Sequence, residues 1–146
     1  MLRSKNLEHT LNISELERGF IKIKIGELSK EVIDKLKLNI KPCKIEMWGD
    51  RFEYIHKHLK NYEGGKEQFD LCMSKIPIII NKPDYVALHP TKNSIEFIKR
   101  IDKLLIVVIR LKQSGSLAFR TAYPLSESQL NNYIKCGTAI KFSDNT

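Results

Sequence analysis

Two of the four histidines of this 146-residue chain lie close together, in a segment with the hydrophobic spacing of a helix. Phe52, Ile55 and Leu59 form its apolar stripe at about 100° per residue, which leaves His56 and His58 on opposite flanks. A shared zinc site is therefore excluded, because ligands on one helix face must be three or four residues apart. Histidine is the side chain most often used for general acid or base chemistry near neutral pH, so either residue is a candidate. The alternative is that both are surface histidines.

Two arginines lie on predicted strands in the second half of the chain. Arg110 ends a strongly apolar strand and shares a face with Val108, and Arg120 shares a face with Ala118 and Ala122. The small alanine side chains leave open space beside the Arg120 guanidinium. The alternative is that arginines at strand ends are simply solvated.

Polar candidates flank these arginines along the chain. Thr121 and Tyr123 share the other face of the Arg120 strand, where they are also ordinary strand formers. His89 ends an earlier predicted strand and is followed by Lys92. An exposed loop histidine is the alternative at that position.

The metal-site motifs that occur in many hydrolases are absent from the sequence. It contains no Asp-x-Asp, no His-Glu-x-x-His and no phosphate-binding glycine-rich loop. Asp84, Glu96 and Lys99 approach a metal-dependent nuclease pattern, but Glu96 and Lys99 are three residues apart instead of two. We expect no metal and no cofactor, and we keep Lys99 only as a basic substrate-binding candidate.

The net charge of +8 favours a polyanionic partner, either nucleic acid or an acidic membrane surface. Residues 89–123 contain seven basic and two acidic residues, so most of the excess lies on the predicted strands that carry Arg110 and Arg120. The longest apolar run, Leu104 to Ile109, is too short to span a bilayer, and no basic amphipathic helix is present. The sequence therefore predicts a nucleic-acid partner, no membrane and a cytoplasmic site of action.

The elements that must position these residues follow from hydrophobic periodicity and turn signals. Helices are predicted after Ser29, from Asp50 to about Lys60, from Glu67 until Pro77 interferes, and from Glu127 to Lys135. Strands are predicted at residues 19–25, 44–48, 85–88, 94–98, 103–111 and 116–123. The fold class is α+β, with N-terminal helices packed on a four-stranded antiparallel β-meander and a C-terminal helix.

Five segments, in this order, resemble the phage-associated branch of the Barnase, EndoU, colicin and RelE superfamily of endoribonuclease toxins. They are Ile25–Leu28, His56–His58, Ile76–Val86, Leu104–Arg110 and Arg120–Tyr123. The resemblance implies a nuclease domain over residues 25–142. Residues 1–24 are then an N-terminal extension or an edge strand.

The resemblance implies a metal-independent endoribonuclease. The RNA 2′-hydroxyl attacks the adjacent phosphate and leaves a 2′,3′-cyclic end, so the protein need only move protons and stabilise phosphate charge. Carried onto this chain, His58 is the acid or base, with His56 in place of a second helix histidine. Arg120 binds the phosphate with support from Arg110, and Thr121 and Tyr123 position the phosphate or stack a base. His89, Lys92 and Lys99 are the further substrate-binding candidates.

Two other functions remain open. The same basic sheet could belong to a non-catalytic RNA- or DNA-binding module, or to a phage structural component whose nuclease site has decayed. An active ribonuclease implies an acidic immunity or antitoxin protein that protects its host. The sequence does not determine the oligomeric state.

Overall fold

The chain folds into a seven-stranded mixed β-sheet with helices on both faces. The computed structural model describes residues 10–62, 64–89, 93–112 and 114–142. In this part of the chain the helices are α1 (Ile13–Glu17), α2 (Lys30–Leu36), α3 (Gly49–Lys57), α4 (Gly65–Asn81) and α5 (Glu127–Lys135), with a 3-10 turn at Leu59–Asn61. The strands are β1 (Lys22–Leu28), β2 (Cys43–Trp48), β3 (Tyr85–His89), β4 (Ser94–Ile101), β5 (Lys103–Leu111), β6 (Leu117–Pro124) and β7 (Ala139–Lys141).

The predicted meander forms the centre of the sheet, but the sheet is larger than predicted. Its order is β1-β2-β6-β5-β4-β3-β7, and β3 to β6 are joined by antiparallel pairs. β2 joins β6 in parallel and carries β1 with it, and β7 pairs with β3. The α+β class is confirmed. The four-strand count is wrong because the two N-terminal strands use the open edge of β6 instead of standing apart, and because the unpredicted β7 adds to the edge of β3.

Helix boundaries follow local capping chemistry where a side chain supplies the cap. The Ser29 hydroxyl accepts from the backbone N–H of Val32 at the start of α2. Ser126 and Gln129 form a reciprocal capping box at the start of α5. Both predicted helix starts are therefore confirmed.

The start of α3 differs from the prediction because a tertiary hydrogen bond replaces the side-chain cap. The helix begins at Gly49 and not after Asp50, and the Gly49 N–H donates to the Ile21 carbonyl at 2.8 Å. A Cβ at Gly49 would lie 1.8 Å from the Phe20 carbonyl oxygen, so only glycine permits this approach. The helix ends at Lys57, before the predicted end near Lys60, and the 3-10 turn at Leu59–Asn61 follows it.

Pro77 lies inside α4 without ending it, contrary to the prediction. A proline in a helix interior removes one hydrogen bond and costs about 3 kcal/mol. The helix nevertheless continues to Asn81 because Ile76, Ile79 and Ile80 are buried against the sheet on both sides of the proline. Burying one such side chain stabilises by roughly 1.5–3 kcal/mol, so several outweigh the proline.

The two faces of the sheet are covered unequally. One face packs under α4 and its neighbours and forms the main core, with Phe69 and Phe97 fully buried. On the other face a smaller cluster lies with α5; its buried members are Ile98, Leu104, Ile106, Val108, Leu125 and Leu130. The part of this face nearer β1 and β2 carries the exposed side chains of Lys24 and Lys44. None of the described helices is long and apolar enough to cross a bilayer.

Replacing Gly49 by alanine should destabilise the protein by about 2 kcal/mol, because the new methyl group overlaps the Phe20 carbonyl and overpacking costs roughly 1–3 kcal/mol. Urea unfolding followed by circular dichroism measures the loss. Glu53→Ala, at an exposed position of the same helix, should change the free energy of unfolding by less than about 0.5 kcal/mol. Equal unfolding midpoints for the two variants would contradict the steric explanation.

Candidate active site

A cleft of about 350 Å³ opens on the less covered sheet face, where β2, β5 and β6 meet the start of α3. Basic side chains dominate its wall. Its lining residues are Trp48, Asp50, Arg51, Arg110, Lys112, Ala118, Phe119 and Arg120. The cleft therefore contains both arginines singled out from the sequence.

A β-bulge brings Arg120 into this cleft. Val108 pairs with Thr121 and Ile109 pairs with Phe119, so Arg120 is an extra residue that faces no partner on β5. The predicted grouping of Arg120 with Ala122 is therefore wrong, because an extra residue breaks the strict alternation of faces. Ala122 is fully buried in the main core, whereas Arg120 lies half-exposed in the cleft.

Two side chains from outside the sheet bond to the backbone of β6 around this bulge. β2 pairs with β6 only at Leu117 and Ala118. Beyond that point the Arg51 Nε donates to the Arg120 carbonyl at 2.6 Å. The Tyr62 hydroxyl donates to the carbonyl of the buried Ala122. The strand is thus held from α3 and from the turn after it.

Burial, and next the neighbouring Cys72, raises the pKa of the Tyr62 hydroxyl far above its usual value. The hydroxyl therefore stays protonated at any physiological pH and remains a donor to β6. Its ring also packs edge-on against Phe69 of α4. This contact ties the β6 backbone next to the cleft to the main core.

The charges of the cleft are poorly compensated. Burial lowers the pKa of Arg51, and the positive charges of Arg120 and Arg110 lower it further. Within the described part of the chain, no carboxylate forms an ion pair with Arg51, Arg110, Arg120 or Lys112. Three guanidiniums that repel one another bind an anion favourably, because the anion relieves the repulsion and accepts their N–H groups.

A row of cross-strand neighbours connects this cleft with His89. His89 pairs with Ser94, Ser94 with Arg110, and Arg110 with Ala118. Residues in such a row point to one face, and each strand step is roughly 4.8 Å. The Cα atoms of His89 and Arg110 are therefore about 10 Å apart on the same face.

The adjacent row supplies a carboxylate and a hydroxyl to the same face. Glu96 pairs with Val108, and Val108 pairs with Thr121. Glu96 is 6% exposed, and its position is diagonal to both His89 and Arg110. The sheet thus brings an imidazole, a carboxylate, a hydroxyl and the cleft arginines onto one surface.

The two helix histidines lie outside the residues that line this cleft. His58 donates through Nδ1 to the Tyr54 carbonyl at 2.7 Å, and its ring lies 4.4 Å from the Tyr54 ring. His56 faces away from it, with Nε2 3.2 Å from Glu17. In the described part of the chain, the contacts of His58 lead to the cleft through Tyr54, whose ring centre lies 5.2 Å from the Arg51 Cζ.

The remaining predicted residues are scattered. Tyr123 is half-buried beside the small cluster under α5, and burial, followed by Tyr133 and Glu96, raises the pKa of its hydroxyl. Lys99 lies on the opposite face of β4 from Glu96, with its Nζ 3.5 Å from Asp84. Lys92 lies outside the described residues.

Sequence reasoning missed the cleft residues that come from other elements. Arg51, Trp48 and Lys112 line the cleft, yet in the sequence they belong to a helix start, a strand end and a loop. The available signal was that Trp48 shares strand parity with the polar residues Lys44 and Glu46 and precedes the glycine of a strand-to-helix turn. In the described part of the chain, no group of three or more His, Cys, Asp or Glu residues is placed to hold a metal ion.

Comparisons with curated proteins and with solved structures found no match for this chain. A family model described as phage-Barnase-EndoU-ColicinE5/D-RelE like nuclease3 matches residues 23–132. The match includes strands β2 to β6 complete and every residue that lines the cleft. Since it covers most of the chain, the resemblance seen in the sequence is confirmed, and the protein belongs to PBECR3, a phage Barnase-EndoU-ColicinE5/D-RelE like nuclease family.

Proposed function

We propose that this nuclease is a metal-independent endoribonuclease that cleaves RNA by attack of the 2′-hydroxyl on the adjacent phosphate. The bond from the 2′-oxygen to phosphorus forms as the bond to the 5′-oxygen breaks, which leaves a 2′,3′-cyclic phosphate and a 5′-hydroxyl. The observation that carries this proposal is the cleft with Arg51, Arg110 and Arg120 and no ion-paired carboxylate among its described residues.

Arg120 and Arg110 are the proposed ligands of the scissile phosphate. As the 2′-oxygen attacks, negative charge grows on the non-bridging phosphate oxygens. Guanidiniums already fixed around that position stabilise the growing charge without reorganising. Arg51 contributes charge to the cleft while its Nε holds the Arg120 carbonyl, and Thr121 lies on the same face as a hydroxyl donor.

Proton transfer is assigned to His89 and Glu96 because they share the sheet face of Arg110. The carboxylate of Glu96 accepts the 2′-hydroxyl proton, and the His89 imidazolium gives a proton to the leaving 5′-oxygen. His58, the acid or base expected from the sequence, is the alternative. Its Nδ1 donates to the Tyr54 carbonyl, and the Tyr54 side chain connects it to the cleft residue Arg51.

A non-catalytic RNA- or DNA-binding module is the second candidate, since the same arginines would hold phosphates without cleaving them. As a toxin-like nuclease acting on cytoplasmic RNA, the protein would need an acidic immunity or antitoxin partner. The net charge of +8 would draw such a partner to the cleft and speed its association.

Incubation of total RNA with the protein in EDTA should yield fragments with 2′,3′-cyclic phosphate ends. DNA of the same sequence should survive, because it lacks the attacking hydroxyl. End-group analysis by mass spectrometry makes the measurement. Intact RNA that is nevertheless retained in a gel-shift assay would favour the binding module.

Arg120→Ala should reduce the cleavage rate by about 100-fold or more, as loss of one preorganised donor to a transition-state charge does. Arg110→Ala should reduce it by a smaller factor, since that side chain is exposed at the cleft edge. Arg18→Ala is the matched control, because it removes the same charge at an exposed position after α1. A rate loss in the control as large as that in Arg120→Ala would contradict the assignment of phosphate binding to the cleft.

His89→Ala and Glu96→Gln should each lower kcat by roughly 100-fold or more, the range of a general acid or base, with little change in RNA affinity. His58→Ala should keep most of the activity. Single-turnover cleavage rates together with RNA binding by each variant make the comparison. Full activity of His89→Ala and inactivity of His58→Ala would return the proton-transfer role to His58.

A further inference from the structure

We propose that Trp48 is a stacking platform for one unpaired RNA base, so that the cleft selects single-stranded RNA. This inference rests on the proposed ribonuclease function, because it names the form of RNA that the same cleft accepts. Trp48 ends β2 and lines the cleft together with Arg51, Arg110 and Arg120. Cationic grooves with an aromatic ring beside the phosphate contacts are the usual design for holding single strands.

The exposure of Trp48 is not explained by packing. The residue is 36% exposed, although the preceding residues Met47 and Ile45 on the same strand are fully buried in the main core. The alternation of β2 places Trp48 on the face of Glu46 and Lys44, away from that core. A large apolar ring left in water at a cleft wall gains free energy when a flat ligand covers it.

The surroundings of the ring are also those of a nucleotide site. The Lys22 Nζ lies 5.0 Å and the Lys112 Nζ 5.6 Å from the Trp48 ring centre. Cation–π contacts of exposed lysines are weaker than the stacking of a base on an aromatic ring. A base can therefore displace a lysine from the ring. The displaced ammonium, on its flexible stem, remains within reach of the flanking phosphates.

The base that stacks on Trp48 must be unpaired. In a duplex both faces of each base are already covered by neighbouring base pairs, and leaving the stack costs several kcal/mol. Single-stranded segments and loops present their bases without this cost. Double-stranded RNA is thus a poor ligand for the Trp48 site even though its phosphates carry the same charge.

Trp48 is the sole tryptophan of the chain, so tryptophan fluorescence, excited where tyrosine does not absorb, reports on this site alone. The probe is a short single-stranded 2′-O-methyl RNA, which cannot be cleaved because its 2′-oxygen is blocked. We expect the probe to quench the Trp48 emission. An abasic residue at one position of the probe should abolish the quenching and weaken binding about 10-fold, equivalent to about 1.4 kcal/mol.

Trp48→Ala should weaken binding of the intact probe by the same factor, measured by anisotropy of a labelled probe, and should be insensitive to the abasic position. Trp48→Phe should retain part of the affinity and the sensitivity. Ile140→Ala, which removes an exposed apolar side chain from β7, should bind as the unchanged protein does. If Trp48→Ala fails to fold, Trp48→Phe and the abasic probes still decide the question.

Probe binding without any change in Trp48 emission would overturn the stacking site, and so would a duplex that binds and quenches as well as the single strand. The ribonuclease function fails separately, if unmodified RNA yields no 2′,3′-cyclic ends. Quenching that persists in that case would support the stacking site as part of a binding module.

Discussion

The hydrogen bond from Arg51 to the Arg120 carbonyl is the contact on which the cleft depends. The bulge leaves Arg120 without a partner residue on β5, and its carbonyl accepts from Arg51 at 2.6 Å. This bond joins the first turn of α3 to β6 at the point where β2 and β6 cease to pair. The bond holds the Arg120 backbone against α3, whose start is also held by the Gly49 bond to the Ile21 carbonyl.

That contact works against electrostatics, because it brings a third guanidinium to Arg110 and Arg120. Burial lowers the pKa of Arg51, and the repulsion from Arg120 and Arg110 lowers it further. The core supplies the opposing stability. Tyr62 bonds the Ala122 carbonyl, two residues further along β6, and packs on the buried Phe69. The N–H donors of this cleft are ordered in advance, which is what the proposed phosphate contact requires.

Much of the framework was predictable because it depends on local signals. Ser29 and Ser126 cap helices through their own side chains, and the four meander strands follow from alternation and short connections. The errors occurred where a distant group overrode the local signal. A hydrogen bond to the Ile21 carbonyl replaced the side-chain cap expected from Asp50. The burial of Ile76 and its neighbours kept α4 helical on both sides of Pro77.

The candidate site was only partly predictable for the same reason. Arg110 and Arg120 could be found because strand parity and a concentration of positive charge are sequence properties. The sheet face of Arg120 could not be predicted, because a bulge depends on how two strands pair. Arg51 and Trp48 remained unnoticed because the elements that carry them meet the arginine strands only in the folded sheet.

The sequence by itself determined the composition, the charge of +8 and its concentration on the central strands, most of the elements and the family. Hydrophobic periodicity, capping residues and motif order are local properties, so they can be recognised directly in the sequence. The tertiary structure decided which charges converge. It grouped Arg51, Arg110 and Arg120 around one cleft. It placed His89 and Glu96 on the sheet face of Arg110. His58 instead bonds to the Tyr54 carbonyl and does not line the cleft. Convergence depends on strand order and register, which arise from long-range packing that no single segment encodes.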